Sequence, residues 1–257
     1  MRDRRRVDAP ARTRTPSRAD RVPVRTMRSP TPASARTMSK EAIQPVVLVG
    51  GRSRRFGRDK LREPWSGSAG GEWLVDQPRL VLRAEFGVEP WAVGACDPAV
   101  AARFARVVPD GDALDDGLHG PIRGIRAALR AAKGAVLVLA GDLPLIDRHA
   151  VLALREAAAR AQGAVAVVAR GDRLEPCIAL YRPHFPAWLD ARCAGISRTR
   201  ESTARDPGAP GASSRLPPLH ELLLGDEVVQ APIRAQAASN LNSLADLESL
   251  RSEPNSI

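Results

Sequence analysis

The stretch VVLVGGRSRRFGRDK, residues 46–60, runs four apolar residues into two glycines, then arginines, a third glycine and a lysine. Val46, Val47, Leu48 and Val49 read as a short buried strand bounded by Gly50 and Gly51. Residues 50–60 are too polar for a core. Glycines at 50 and 51 permit positive φ and remove the Cβ atoms that would hold a phosphate away. Successive amides in such a turn form a nest for anions, and Arg or Lys side chains add full charges. The spacing is neither a Walker A loop nor the dinucleotide fingerprint, because five residues separate Gly51 from Gly57 and Arg-Asp-Lys comes next. The plainer alternative is a strand ending in a solvated basic loop. Lys60 is one of only three lysines beside 36 arginines, so a compact ammonium stands where this chain habitually uses a guanidinium.

Outward from this stretch the pattern alternates strands and helices. PWAVGA, ARVVPD, AVLVLAGD, AVAVVAR and CIALYRP read as further strands, AVLVLAGD being the clearest buried one. Helical patterns fill EWLVDQPRLVLRAEF, where Pro78 either opens or breaks the helix, then PAVAARFA, GPIRGIRAALRAAKG and RHAVLALREAAARAQ. Gly134 is the expected terminator of the third. Continuous apolar strands alternating with helices predict an α/β fold of three layers, a mostly parallel central sheet with helices on both faces. Ligands in such folds bind beyond the carboxyl ends of the strands. Both the glycine loop and GDLP, residues 141–144, sit at such ends.

The net charge of +10 is unevenly spread. Residues 1–40 carry 12 Lys or Arg and 3 Asp, whereas residues 41–257 carry 27 basic and 26 acidic groups. The basicity therefore belongs to an Arg/Pro/Ser-rich tail too poor in large apolar residues to offset its ordering entropy, and the expectation is a disordered tail, with Met27 or Met38 as a working start. A nearly neutral remainder argues against nucleic acid as a partner. No apolar run approaches bilayer length, so no membrane partner is expected and the cytoplasm is the default location. Cys96, Cys177 and Cys193 form no CxxC pair, and neither a zinc site nor a disulfide framework is written in the chain. Residues 41–257 are expected to form one domain, with a flexible Gly/Pro/Ser-rich excursion near 195–218.

Asp142 leaves a buried strand, where an aspartate can hold Mg²⁺ against the phosphates of a nucleoside triphosphate or merely stabilise the turn. Asp147 is placed to cap the next helix, and Ser243 to cap LADLESL.

Taken together these motifs resemble the molybdenum cofactor guanylyltransferase family of the nucleotidyltransferase superfamily. LVGGRSRRFGRDK is similar to that family's LAGGxSxRMGxDK signature, departing at Val49 and Phe56, apolar for apolar in both cases. The resemblance implies a Rossmann-like nucleotide-diphospho transferase fold. It implies that Leu48, Gly50 and Gly51 contact GTP through the backbone, that Lys60 meets the phosphates, and that Arg55 is the signature's arginine. Asp142 then matches the metal-binding D-x-P, and Mg²⁺ is the implied cofactor. VVPDGDALDDGLHGPIRGI resembles the D…GPLAGI region, which makes Asp110, Gly120 and Gly124 guanosine contacts, with Asp112 and Asp115 open alternatives to Asp110. Close helix packing is the other reading of Gly124. Gly94 stands where the family often has an asparagine, so that contact is either missing or moved, with Asp97 as the candidate substitute. RGDRLEPCIALYRP, with Pro176 and Tyr181, matches a family strand, and SNLNSLADLESL resembles NxNTPEDL, which turns Asn240 and Asn242 toward the pterin.

The activity implied is Mg-dependent transfer of GMP from GTP to the terminal phosphate of molybdopterin or molybdenum cofactor, releasing pyrophosphate. The implied recipients of the product are molybdoenzymes or their chaperones. The alternatives are cytidylyl transfer to the same cofactor, guanylyl transfer to another phosphorylated acceptor, and a non-catalytic nucleotide-binding adaptor. The same resemblance implies guanine, since the double glycine and GPIRG are similar to the guanylyl pattern rather than to that of the cytidylyl relatives.

Overall fold

The strand at the head of the glycine loop is the pivot of the sheet. The computed structural model describes residues 42–50, 59–65, 68–110, 120–203, 217–241 and 243–252, all within one unit, Glu41–Ile257. The expected tail, the loop at 51–58 with Gly51 and Arg55, Asp112, Asp115, Asn242 and residues 204–216 lie outside them.

Seven strands, β1 (Ile43–Leu48), β2 (Trp91–Val93), β3 (Arg106–Val108), β4 (Ala135–Ala140), β5 (Ala166–Arg170), β6 (Leu174–Tyr181) and β7 (Val228–Pro232), form one sheet in the order β3-β2-β1-β4-β6-β5-β7. β1 to β4 are mutually parallel. β6 is antiparallel to both β4 and β5, and β5 is parallel to β7. Two reversals cancel, so β5 and β7 point the same way as β4. The mainly parallel sheet read from the sequence is therefore present, with β6 as its one reversed member.

Side chains alternate across β1 and β4. Val47, Leu137 and Leu139 enter one apolar layer with α1 (Asp76–Phe86), α2 (Pro98–Ala101) and α4 (Arg148–Arg160). Val46, Val136 and Val138 enter the other with α3 (Pro121–Ala132) and α5 (Phe185–Thr203). All of β4 is buried, as a strand covered on both faces must be. Two short elements, α6 (Leu219–Leu222) and a 3-10 turn at Ala235–Ala238, flank β7, and α7 (Leu244–Ser252) comes last.

Local chemistry explains several boundaries. Pro78 is the third residue of α1, inside the first turn, where no intrahelical donor is needed; it opens the helix. Asp147 caps α4 by accepting from the Ala150 amide at 2.9 Å. Ser243 and Asp246 cap α7 reciprocally, each side chain accepting from the other's amide. α3 ends differently from the expectation. Lys133, not Gly134, takes the left-handed conformation, at φ 52°. The segment expected to leave the domain near 195 is partly helix, because α5 continues to Thr203.

Two buried charges organise the periphery. The Arg182 guanidinium, 4% exposed, donates to the carbonyls of Ala158, Ala161 and Ala164, satisfying the end of α4. Asp76, wholly buried at the start of α1, accepts from the amides of Glu72 and Trp73 and from Arg79 and Arg103. Burial pushes its pKa up, but those amides and guanidinia outweigh it and hold the carboxyl below its ordinary value. A native pKa below the unfolded one means fewer protons bound when folded. The stabilisation is therefore complete above the unfolded value of 3.8 and fades as pH falls through the native value. Asp76→Ala strands two guanidinia and is expected to cost about 3–5 kcal/mol. Urea unfolding at neutral pH measures that loss, and the difference between wild type and variant should shrink below about pH 4.

Candidate active site

The chain passes from β1 to β2 and β3 on one side, then crosses to β4 on the other. The crevice beyond the carboxyl ends of β1 and β4 is thus the topological switch point, where open α/β sheets bind ligands. Leu48 pairs with Ala140 at the ends of the two strands, and the Gly141 amide donates to the Leu48 carbonyl at 2.9 Å. This register sets Gly50, at the head of the glycine loop, on the same edge of the sheet as Asp142.

Lys60 opens a 3-10 turn, Lys60–Arg62, capped by Asp59, which accepts from the Leu61 amide at 3.0 Å. Its ammonium reaches 82 residues along the chain to donate to Asp142 Oδ2 and also donates to the Leu241 carbonyl at 3.2 Å. The Leu241 amide in turn donates to the Asp142 carbonyl at 3.1 Å. Both charged side chains are largely enclosed, with 22% and 18% exposure. Leu241 is anchored by packing with Leu74 and Leu247 of α7. A lysine, an aspartate and a backbone peptide from three distant parts of the chain thus form one hydrogen-bonded unit.

The side of the crevice nearest β2 is built on glycine. Gly94 has φ 112°, and a Cβ placed there would lie 2.5 Å from the Gly50 nitrogen. The exits of β1 and β2 therefore touch backbone to backbone, and no asparagine fits at position 94. Asp97 is already engaged: it caps α2 through the Ala99 amide and pairs with Arg62 at 3.1 Å. Asp110, after β3, turns its carboxylate toward Gly50, 3.6 Å from where a Cβ would stand. Gly120 caps α3 at φ 78°. Gly124 lies inside that helix, where a Cβ would meet Leu48 Cδ2 at 3.0 Å; its packing role is visible here. Asn240 is partly buried beside Leu241. Of the residues expected to form a site, Gly50 and Asp110 come together, Lys60 and Asp142 pair directly, and the Leu48 carbonyl is bonded to Gly141, the neighbour of Asp142.

Cys177 of β6 is close enough to feel the charge at this edge. Burial first, then Asp142 and Glu175, push its thiol up to about 12. Burial, with Asp59 and Asp97, likewise raises Cys96. Neither is an activated thiolate. Tyr181, buried, donates its hydroxyl to the Pro176 carbonyl at 2.7 Å within the same strand, a structural contact. The sequence reading missed Leu241, whose contribution is made by backbone atoms and so leaves no side-chain signature.

Comparison with known proteins bears on the family and the fold. The family model described as the MobA-like NTP transferase domain matches residues 45–206. A probable molybdenum cofactor guanylyltransferase of Opitutus terrae is 37% identical over 145 residues, 54% of this chain and 66% of that protein. A molybdenum cofactor guanylyltransferase of Pseudomonas putida is 33% identical over 170 residues, 63% of this chain and 82% of that one. Among solved structures, molybdopterin-guanine dinucleotide biosynthesis protein A of Archaeoglobus fulgidus superposes with a TM-score of 0.52 over 80% of this chain and 96% of its own, at 21% identity, a likeness of fold. Among the described residues no helix is long and apolar enough to cross a membrane.

Two outcomes check this geometry. Gly94→Ala should lower stability by about 2 kcal/mol or more through strain and overpacking, read by guanidinium unfolding. With its thiol at about 12, Cys177 should resist iodoacetamide in the folded chain at pH 8, and mass spectrometry of the labelled peptide reports it.

Proposed function

Because the chain belongs to the MobA-like NTP transferase family, we propose that it transfers GMP from GTP to the terminal phosphate of molybdopterin or molybdenum cofactor, releasing pyrophosphate. The observation that carries this reading is the Lys60–Asp142 pair at the switch point, in a chain whose relatives are named guanylyltransferases. Substrates would then be GTP and the phosphorylated pterin, the product would pass to molybdoenzymes or their chaperones, and the enzyme would work in the cytoplasm.

The acceptor phosphate is largely dianionic at neutral pH, its second pKa being about 6, so no general base is needed. An acceptor oxygen attacks the α-phosphorus, and the bond to the bridging oxygen breaks in line. That oxygen leaves on pyrophosphate with the electron pair. The protein's task is alignment and neutralisation of charge. In this reading the amides of Gly50 and Gly51 and the backbone of Leu48 cradle the nucleotide. Lys60 and Arg55 meet its phosphates. Asp110, or Asp112 or Asp115, accepts from guanine N1–H and N2–H₂ or from the ribose, with Gly120 and Gly124 beside it. Asn240 and Asn242 face the pterin.

A divalent ion suits the residues at Asp142. The carboxylate and the nearby Leu241 carbonyl are hard oxygen donors, and a cationic ammonium already contacts both. Mg²⁺ typically binds through one or two carboxylates plus substrate phosphates, and Asp142 is the carboxylate on offer. When bound, the ion supplies charge neutralisation along the triphosphate. The raised thiols of Cys96 and Cys177 support direct transfer without a cysteinyl intermediate.

The test is pyrophosphate release with GTP, CTP and ATP, with and without molybdopterin. GTP plus molybdopterin should be the productive pair. Release with CTP instead would make it a cytidylyltransferase, and none with any nucleotide an adaptor. Lys60→Ala and Asp142→Ala should each lower turnover about 10²- to 10³-fold, the scale of losing one charge-stabilising group, with thermal unfolding little changed.

A further inference from the structure

Lys60 and Asp142 are both proposed to serve the triphosphate, one at its phosphates and one at its ion, yet the structure pairs them with each other. The ammonium is held from two sides, by Asp142 Oδ2 and by the Leu241 carbonyl at 3.2 Å. The Leu241–Asp142 backbone hydrogen bond fixes these two acceptors relative to one another. The ammonium is mostly enclosed and occupies one oxygen of the carboxylate proposed to hold the ion. A divalent cation approaching Asp142 must therefore displace Lys60 or sit against its positive charge.

We infer that Lys60 is a resident counter-ion of the metal seat, so that a divalent cation gains Asp142 only when a triphosphate draws the ammonium away. This rests on the reading of Asp142 as the ion's ligand. The exchange leaves each charged group with a partner of opposite sign. Without nucleotide, Lys60 neutralises Asp142. With it, the polyanionic triphosphate takes Lys60, and the carboxylate it frees takes the ion. Binding of ion and nucleotide is then mutually reinforcing, and by linkage each strengthens the other equally. Lys60 thus has two partners in turn, and its second role is to keep the seat closed to free metal.

Mn²⁺ titration of the full chain without nucleotide, read by the electron paramagnetic resonance signal of free Mn²⁺, tests this. Lys60→Met keeps the length of the side chain and removes its charge. It should bind Mn²⁺ more tightly than wild type, within the 5- to 150-fold span roughly typical of coupled sites. Lys60→Gln serves as a second variant should the first not fold. The double variant Lys60→Met/Asp142→Asn should lose that gain. Equal or weaker Mn²⁺ binding by both single variants, folded by circular dichroism, would overturn the counter-ion role and leave the metal assignment standing. A gain that survives in the double variant places the ion away from Asp142 and overturns the assignment itself.

Discussion

The parallel pairing of β1 with β4 is the constraint on which the site depends. Its register brings Leu48 level with Ala140, and the hydrogen bond from Gly141 to the Leu48 carbonyl carries the pairing one residue past the strands. Because both strands are buried on both faces, a shift by one residue would move Val46 and Val47 into the wrong layers. The core therefore fixes the position of the crevice. Asp142 follows β4 directly, and Lys60, on the 3-10 turn Lys60–Arg62, meets it at that crevice.

At that crevice the structure uses backbone where many sites use side chains. Gly50 and Gly94 touch main chain to main chain, and Leu241 contributes a carbonyl and an amide rather than its isobutyl group. Leu241 is nonetheless a leucine for a reason, since its buried side chain holds those backbone atoms in place against Leu74 and Leu247. Packing and polarity are divided between two ends of one residue.

This division explains what was legible in the sequence. β1 and β4 could be read because their apolar runs are continuous, and Asp142 because it follows one of them directly. Gly94 was visible as a departure from the family pattern, but its cause, a neighbouring backbone 44 residues earlier in the chain, is a tertiary fact. β7 escaped notice because VVQAP is short, exposes Gln230 and Pro232 and lies at the sheet edge, where exposed positions blur the alternation. α5 escaped because FPAWLDARCAGISRTREST ends in Gly, Ser and Thr, weak helix formers that in isolation favour turns. At the end of α3, Lys133 accepted the left-handed conformation that glycine usually takes, so the position of Gly134 misled by one residue.

The reversed strand β6 has a topological cost and return. A sheet that reverses once would send its next connection out at the amino edge, far from Asp142. The second antiparallel pairing, with β5, restores the original sense, and β7 inherits it through its parallel partner. Parity alone thus delivers Asn240 and Leu241 to the edge where Lys60 waits. Longer loops between β4 and β7 would leave that parity unchanged. A single added or lost strand reversal there would bring the end of β7 out at the opposite edge of the sheet from Asp142.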